Sequence, residues 1–219
     1  MPETNSHYLS KDPTYFSNAR YDIVNMLETG ASACILEIGC GTGATGAAIL
    51  SAGKAGRYTG IELMSAAASE ASAVLTEVVV GNVETMNLSA YHNQFDALII
   101  SEVLEHLTDP WAALAQLSPC LRQGGEVIAS SPNISHHTVI RKLLSGSFDY
   151  SEAGFMDRTH LRWFTPKSFR EMFEAAGFEV RYLGPIRQPR LFSKVFHRMT
   201  LGRLMHLSTA QILIHAVKL

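Results

Sequence analysis

Short apolar runs alternate with longer amphipathic stretches along the chain. ACILEIG (33–39), YTGIEL (58–63), EVVVG (77–81), FDALIIS (95–101) and GGEVIASSPN (124–133) read as five strands, since short apolar runs bounded by turn residues suit a sheet covered on both faces. The stretches after the first, second and fourth begin GATGAAIL, MSAAASEASAVL and WAALAQLSPCL and carry helical spacing. This βαβ rhythm predicts an α/β fold with a mostly parallel sheet and helices on both faces. Thr165-Pro166 opens a further helix that Gly177 stops. FEVRYLG and the tail AQILIHAVKL then supply a sixth and a seventh strand.

Two stretches stand outside the rhythm. YFSNARYDIVNML (15–27) predicts an amphipathic helix ahead of the first strand, and residues 134–165 mix aromatic, charged and glycine positions. A connection that long in an α/β domain is usually functional. The expected layout is one domain over 1–219. It has a cap region (1–32), a ligand-binding core (33–133), an insertion over the site (134–165) and C-terminal strands with a basic tail (166–219).

Composition narrows this little. Of 219 residues 47% are hydrophobic and 17% charged, with a net charge of -2, which argues against a chain that coats nucleic acid. Cys34, Cys40 and Cys120 are too scattered for a disulfide framework or a CxxC metal knuckle. The opening MPETNSHYLSKDPTYF lacks the order of a signal peptide, so a cytoplasmic location and no transmembrane segment are expected. After Glu179 the charges are all basic. RLFSKVFHRMTLGRLMHL (190–207) therefore has three readings: internal packing, a weak membrane-surface contact, or contact with phosphates.

EIGCGTGATG between the first strand and its helix carries the strongest local signal. Gly39, Gly41 and Gly43 allow a tight turn and a close approach of a ligand to main-chain N–H groups. Glu62, ending the second strand, is placed to accept from ribose hydroxyls. GCGTGA also satisfies a dinucleotide fingerprint, so an NAD- or nucleotide-sugar-binding protein stays open on these residues alone. ILEIGCGTG, GIEL, GNVETMNL, FDALIISEVLEHLTDP and LRQGGEVIASSPN, in that order, resemble the successive blocks of class I S-adenosylmethionine-dependent methyltransferases. The resemblance implies the strand order 3-2-1-4-5-7-6 and S-adenosyl-L-methionine as cofactor. It places the methionyl part at Glu37 and the loop Gly39, Cys40, Gly41, Thr42 and Gly43, with Ser101 facing it from strand four. The ribose falls to Glu62 and Leu63, and the adenine to Asn82 and Val83, where the family usually has aspartate at Asn82. Tyr15 and Arg20 are the cap residues expected to face the site.

SEVLEHL follows strand four directly and brings Glu102, Glu105 and His106 together. If helical, they fall at i, i+3 and i+4 and share a face, and two converging carboxylates need a cation or a proton between them. The segment resembles the metal-binding segment of small-RNA 3′-terminal 2′-O-methyltransferases and its counterpart in ubiquinone-pathway O-methyltransferases. DRTHLRWFTPKSF resembles the block that brings the RNA enzymes a second histidine. The likeness implies a divalent metal on Glu102, Glu105, His106 and His160. On another reading His106 or His160 is a metal-free general base, and on a third Glu105 is paired with Arg158 or Arg162. His136 and His137, whose adjacency would point them apart on a strand, are read as loop residues near substrate. A hydroxyl acceptor suits a base or a metal. YFSNARYDIV and DRTHLRWFT resemble bacterial glycan and secondary-metabolite methyltransferases, which puts a sugar or small-molecule hydroxyl first and an RNA 3′ end second.

Overall fold

The computed structural model describes residues 18–186 and 204–219. Seven strands form one sheet: β1 (Cys34–Ile38), β2 (Arg57–Glu62), β3 (Glu77–Val80), β4 (Phe95–Ser101), β5 (Leu121–Pro132), β6 (Phe178–Pro185) and β7 (Gln211–Lys218). Their order is β3-β2-β1-β4-β5-β7-β6. β1 to β5 pair in parallel, and β7 runs antiparallel to both β5 and β6. The tail therefore closes the sheet as the reversed strand that the sequence implies. β5 starts three residues before the Gly124-Gly125 turn expected to introduce it, and a register shift against β4 absorbs those residues.

The alternation of strand residues divides the core in two. Leu36, Ile38, Leu98 and Ile100 face one side, where α4 (Pro110–Leu117) and α6 (Pro166–Ala175) pack. Ile35, Ala97, Ile99 and Tyr58 face the other, under α1 (Tyr21–Met26), α2 (Ala44–Ser51) and α3 (Ser65–Ala71). Period-two alternation with both sets buried is what a sheet covered on two faces requires. On the first side Phe164, Phe169, Phe173 and Phe178 follow one another at ring-centroid distances of 5.2, 5.2 and 6.0 Å, contacts worth about 0.5–1.5 kcal/mol each beyond burial. α6 begins with a capping box between Thr165 and Ser168, and Gly177 follows it at φ +86°.

The expected front helix reaches only from Tyr21 to Met26 within the described residues, and Tyr15 lies outside them. Residues 190–203 of the basic segment, on which its three readings rest, also lie outside them. The insertion holds one helix, α5 (His137–Leu144), followed by irregular chain. Among the described residues no helix is long and apolar enough to cross a membrane.

Candidate active site

A cavity of about 840 Å³ opens at the C-terminal edge of the parallel strands, the edge at which open α/β sheets bind ligands. The loops after β1 to β4 form one part of its wall, and Phe155, Asp157, His160 and Leu161 of the insertion form another. Its size suits a cofactor together with a small acceptor.

Backbone geometry builds the first part. Gly39, Gly41 and Gly43 have φ of +70°, +55° and +83°, which a side chain would strain. A Cβ on Gly39 would also come within 2.5 Å of Val103 Cγ2. The Glu62 carboxylate is held at both ends, Oε2 accepting from Gly41 N at 2.9 Å and Oε1 from Met64 N at 2.9 Å. Glu37 lines the cavity, and its Oε2 accepts from Tyr58 Oη at 2.8 Å. Burial pushes its carboxyl up to about 7, against the Tyr58 hydrogen bond that lowers it, with the Glu62 charge adding to the rise. Burial likewise pushes the Cys40 thiol up. Leu63, Asn82, Val83 and Ser101 all line the cavity. The Asn82 side-chain oxygen accepts from Glu84 N at 2.9 Å, so it also shapes its own turn. Thr42 and Gly43 are not in the lining.

Thr45, which the sequence did not single out, does line the cavity and accepts from Arg20 N at 3.2 Å through Oγ1. Arg20 reaches in as expected. Its Nη1 donates to Ser101 Oγ and, at 3.1 Å, to Ser130 Oγ, while Asp22 takes its Nε and Nη2 at 2.9 and 2.7 Å. A guanidinium fixed by four hydrogen bonds to three residues is already oriented.

The second part departs from expectation. SEVLEHL is not an α-helix. Glu102 takes φ +54° and its N donates to Ser130 O at 3.0 Å, and only Leu104–His106 makes a 3-10 turn. The shared helical face is therefore absent, and different residues converge. Ligating atoms of Glu105, His106 and His160 lie within 4.8 Å of one another, and the two imidazoles meet edge-on with centroids 4.8 Å apart. Glu102 stands outside this trio, with Oε2 accepting from Gln211 Nε2 at 3.0 Å and Oε1 3.9 Å from Arg20 Nη1. Burial raises its carboxyl above the ordinary range.

Glu105 is 1% exposed, and neither of its carboxylate oxygens has a hydrogen-bond partner. Burial first, and the Glu102 charge second, hold this carboxyl well above its usual range. The pairing with Arg158 or Arg162 is not made. Arg158 meets Glu152 at 3.2 Å, and Arg162 Nη2 donates to Thr108 O. The insertion is tied down through the backbone instead, with Leu161 N and Arg162 N donating to Glu105 O at 2.8 and 3.0 Å. His106 Nδ1 lies 3.1 Å from Thr159 O and His160 Nδ1 3.3 Å from Phe155 O. The tautomer that donates from Nδ1 keeps its lone pair on Nε2, the usual arrangement of ligating histidines. A buried carboxylate with both oxygens unmatched, beside two such histidines, fits a divalent cation.

His136 and His137 are not loop residues but begin a helix. His136 caps α5, the two rings lie 4.2 Å apart, and His136 stacks on Phe155 at 5.1 Å. Through Phe155 they support the wall of the cavity without lining it.

Together the 3-2-1-4-5-7-6 sheet, the glycine loop at its first crossover and the acid ending β2 define a class I methyltransferase architecture. A family described as a methyltransferase domain matches residues 11–183. The chain belongs to that family. It is 26% identical over 154 residues to the ubiquinone biosynthesis O-methyltransferase of Aromatoleum aromaticum, covering 68% of this chain and 65% of that one. It is 28% identical over 89 residues to the protein of the same name from Aeromonas salmonicida, covering 41% of this chain and 37% of that one. The chain thus spans less than two thirds of either relative's length. An S-adenosylmethionine-dependent methyltransferase from Archaeoglobus fulgidus superposes with a TM-score of 0.67 at 16% identity, covering 93% of this chain and 96% of that chain, a likeness of fold.

Proposed function

We propose that the chain methylates a hydroxyl of a small molecule, a sugar or other compact diol, with two neighbouring oxygens turned toward a divalent ion on Glu105, His106 and His160. The observation that carries this reading is the Glu105 carboxylate, buried without partners beside two oriented imidazoles. The relatives' name, O-methyltransferase, points to oxygen as the acceptor atom.

S-adenosylmethionine supplies a methyl group activated by its sulfonium. Glu62, already aimed by two backbone N–H groups, receives the ribose, and Asn82 and Val83 line the adenine side. Glu37 and Arg20 take the ammonium and carboxylate of the methionyl group, opposite charges at opposite sides of the glycine loop. A cation at Glu105, His106 and His160 would acidify the acceptor hydroxyl. Glu102, whose carboxyl burial raises above the ordinary carboxylate range, takes the hydroxyl proton as general base while the oxygen attacks the methyl carbon and the C–S bond pair returns to sulfur. What remains is positioning, which Phe155 and Leu161 of the insertion serve by closing over the acceptor.

Elemental analysis of the purified protein, with turnover and S-adenosylhomocysteine binding measured in chelator, tests this. Chelation is expected to abolish turnover and leave cofactor binding intact. Full turnover in metal-stripped protein refutes the ion and returns the site to a metal-free histidine base, for which His106→Ala slows turnover by about 10²–10⁴-fold.

A further inference from the structure

Tyr58 does more than fill the core. The parallel register sets Ile35 beside Tyr58 and Glu37 beside Gly60. Residues two apart on a strand share a face, so the tyrosine ring runs along the sheet toward the carboxylate at the cavity edge. Its hydroxyl donates to Glu37 Oε2 at 2.8 Å, and the residue is 0% exposed. Two glycines make the arrangement possible. A Cβ on Gly46 of α2 would lie 2.6 Å from Tyr58 Cε1, and one on Gly60 would lie 2.5 Å from Cys40 Sγ. Packing alone would be met by phenylalanine. The hydroxyl's one recorded partner is a carboxylate that lines the cofactor cavity.

We propose that Tyr58 is a positioning residue for cofactor capture: its hydroxyl orients the Glu37 carboxylate toward the α-ammonium of the methionyl group. This rests on the placement of the methionyl end at Glu37 made above.

The surroundings define the titration. Ligand-free Glu37 is raised to about 7 by burial, with the Tyr58 hydrogen bond and then Arg20 acting downward and Glu62 upward. The groups facing it are Tyr58, Cys40, Glu62 and Arg20. Tyr58 is pushed well above its ordinary value by burial and by Glu37, so it remains a donor. Burial pushes the Cys40 thiol up, so it remains neutral. Arg20 stays charged, and Glu62 is fixed by Gly41 N and Met64 N. An ammonium beside Glu37 favours the carboxylate. Below the ligand-free pKa a proton must therefore leave on binding, and affinity falls by up to about tenfold per pH unit. Above it the affinity is flat. Without the Tyr58 hydroxyl the carboxyl titrates higher, and the break moves up with it.

The experiment measures S-adenosylhomocysteine affinity by calorimetry from about pH 5.5 to 8.5 for the native chain, Tyr58→Phe and Glu37→Gln, with melting curves confirming the fold. The native profile is expected to break near pH 7. Tyr58→Phe is expected to break about one unit higher, several-fold weaker at neutral pH and recovering in base. Glu37→Gln is expected to bind weakly, with no break. In the native chain, runs in buffers of different ionisation heat should show close to one proton released per ligand well below the break and none above it. Native and Tyr58→Phe profiles that superimpose overturn the proposal, as does a break retained in Glu37→Gln. If Tyr58→Phe does not fold, absence of proton release in the native chain overturns it. Failure of S-adenosylhomocysteine to bind at any pH is a distinct outcome, which overturns the placement of the cofactor and the proposal with it.

Discussion

Two pairs of carboxylates face the same cavity and are treated in opposite ways. Glu37 and Glu62, on the cofactor side, have donors in place: a tyrosine hydroxyl for one and two backbone N–H groups for the other. Glu102 and Glu105, on the acceptor side, are left short. One oxygen of Glu102 and both oxygens of Glu105 are buried without a hydrogen bond of good geometry, with only the Arg20 charge near the first and the Ser131 hydroxyl near the second. A satisfied polar site is finished before its ligand arrives, while an unsatisfied one costs free energy until something fills it. Glu37 and Glu62 are thus fixed by donors within the fold, while Glu102 and Glu105 are held mainly by burial.

The strongest way to break this contrast is Glu105→Gln. The amide keeps the shape and removes the charge, and a neutral side chain is what the empty, buried site already favours, since burial holds the Glu105 carboxyl above its ordinary range. Turnover is expected to fall by about 10³-fold or more, some 4 kcal/mol in the barrier, with the melting temperature unchanged or raised. Retained turnover would show that Glu105 has no part in the chemistry. A large loss of stability would show that its carboxylate is satisfied after all.

On the cofactor side Glu62→Ala is the matching change. It removes two hydrogen bonds meant for the ribose and also strands Gly41 N in the glycine loop. S-adenosylhomocysteine affinity is expected to drop by about 1–3 kcal/mol, read by calorimetry, with chelator sensitivity unaltered. A loss of affinity that appears only after metal removal would merge the two halves that the structure keeps apart.

The same contrast governs how much the sequence could tell. The cofactor side was legible because its geometry follows from local rules. Apolar runs give strands, alternate glycines give the loop, and an acid at the end of a strand projects over the sheet edge. Even there the sequence singled out nothing in Tyr58 beyond its place in a strand, because a strand pattern does not show where a hydroxyl points. On the other side the expected helical shape was not met, although Glu105, His106 and His160 do converge. SEVLEHL is made of good helix formers, so a helix was the local preference, and Glu102 was placed beside Glu105 and His106. Its left-handed φ is set by a bond from Glu102 N to Ser130 O on a neighbouring strand, which local propensity cannot reveal. His160 entered only through resemblance, and its partners lie 54 and 55 positions away, at His106 and Glu105. Pairing Glu105 with an arginine was reasonable by charge alone. It failed because Arg158 and Arg162 leave toward Glu152 and Thr108.

The smallest expected effect concerns the seam between the two sides. Asp109 follows the 3-10 turn that carries Glu105 and His106, and it caps α4, with Oδ1 accepting from Ala112 N at 3.0 Å and Pro110 just inside the helix. Its own N donates to Glu84 Oε1 at 3.0 Å, reaching the loop that lines the adenine side. The side chain therefore serves the helix, while the link across the seam is a backbone bond that any residue except proline keeps. Asp109→Ala is expected to cost about 1 kcal/mol of stability, the usual worth of such a cap, measured by denaturant unfolding. Cofactor affinity and turnover should stay within about twofold of native, because neither carboxylate pair loses a partner. A tenfold loss of turnover in a variant that unfolds only slightly earlier would mean that the cap sets the position of Glu105 and His106. In that case the acceptor side owes its geometry to α4 as much as to the insertion bound at Glu105 O.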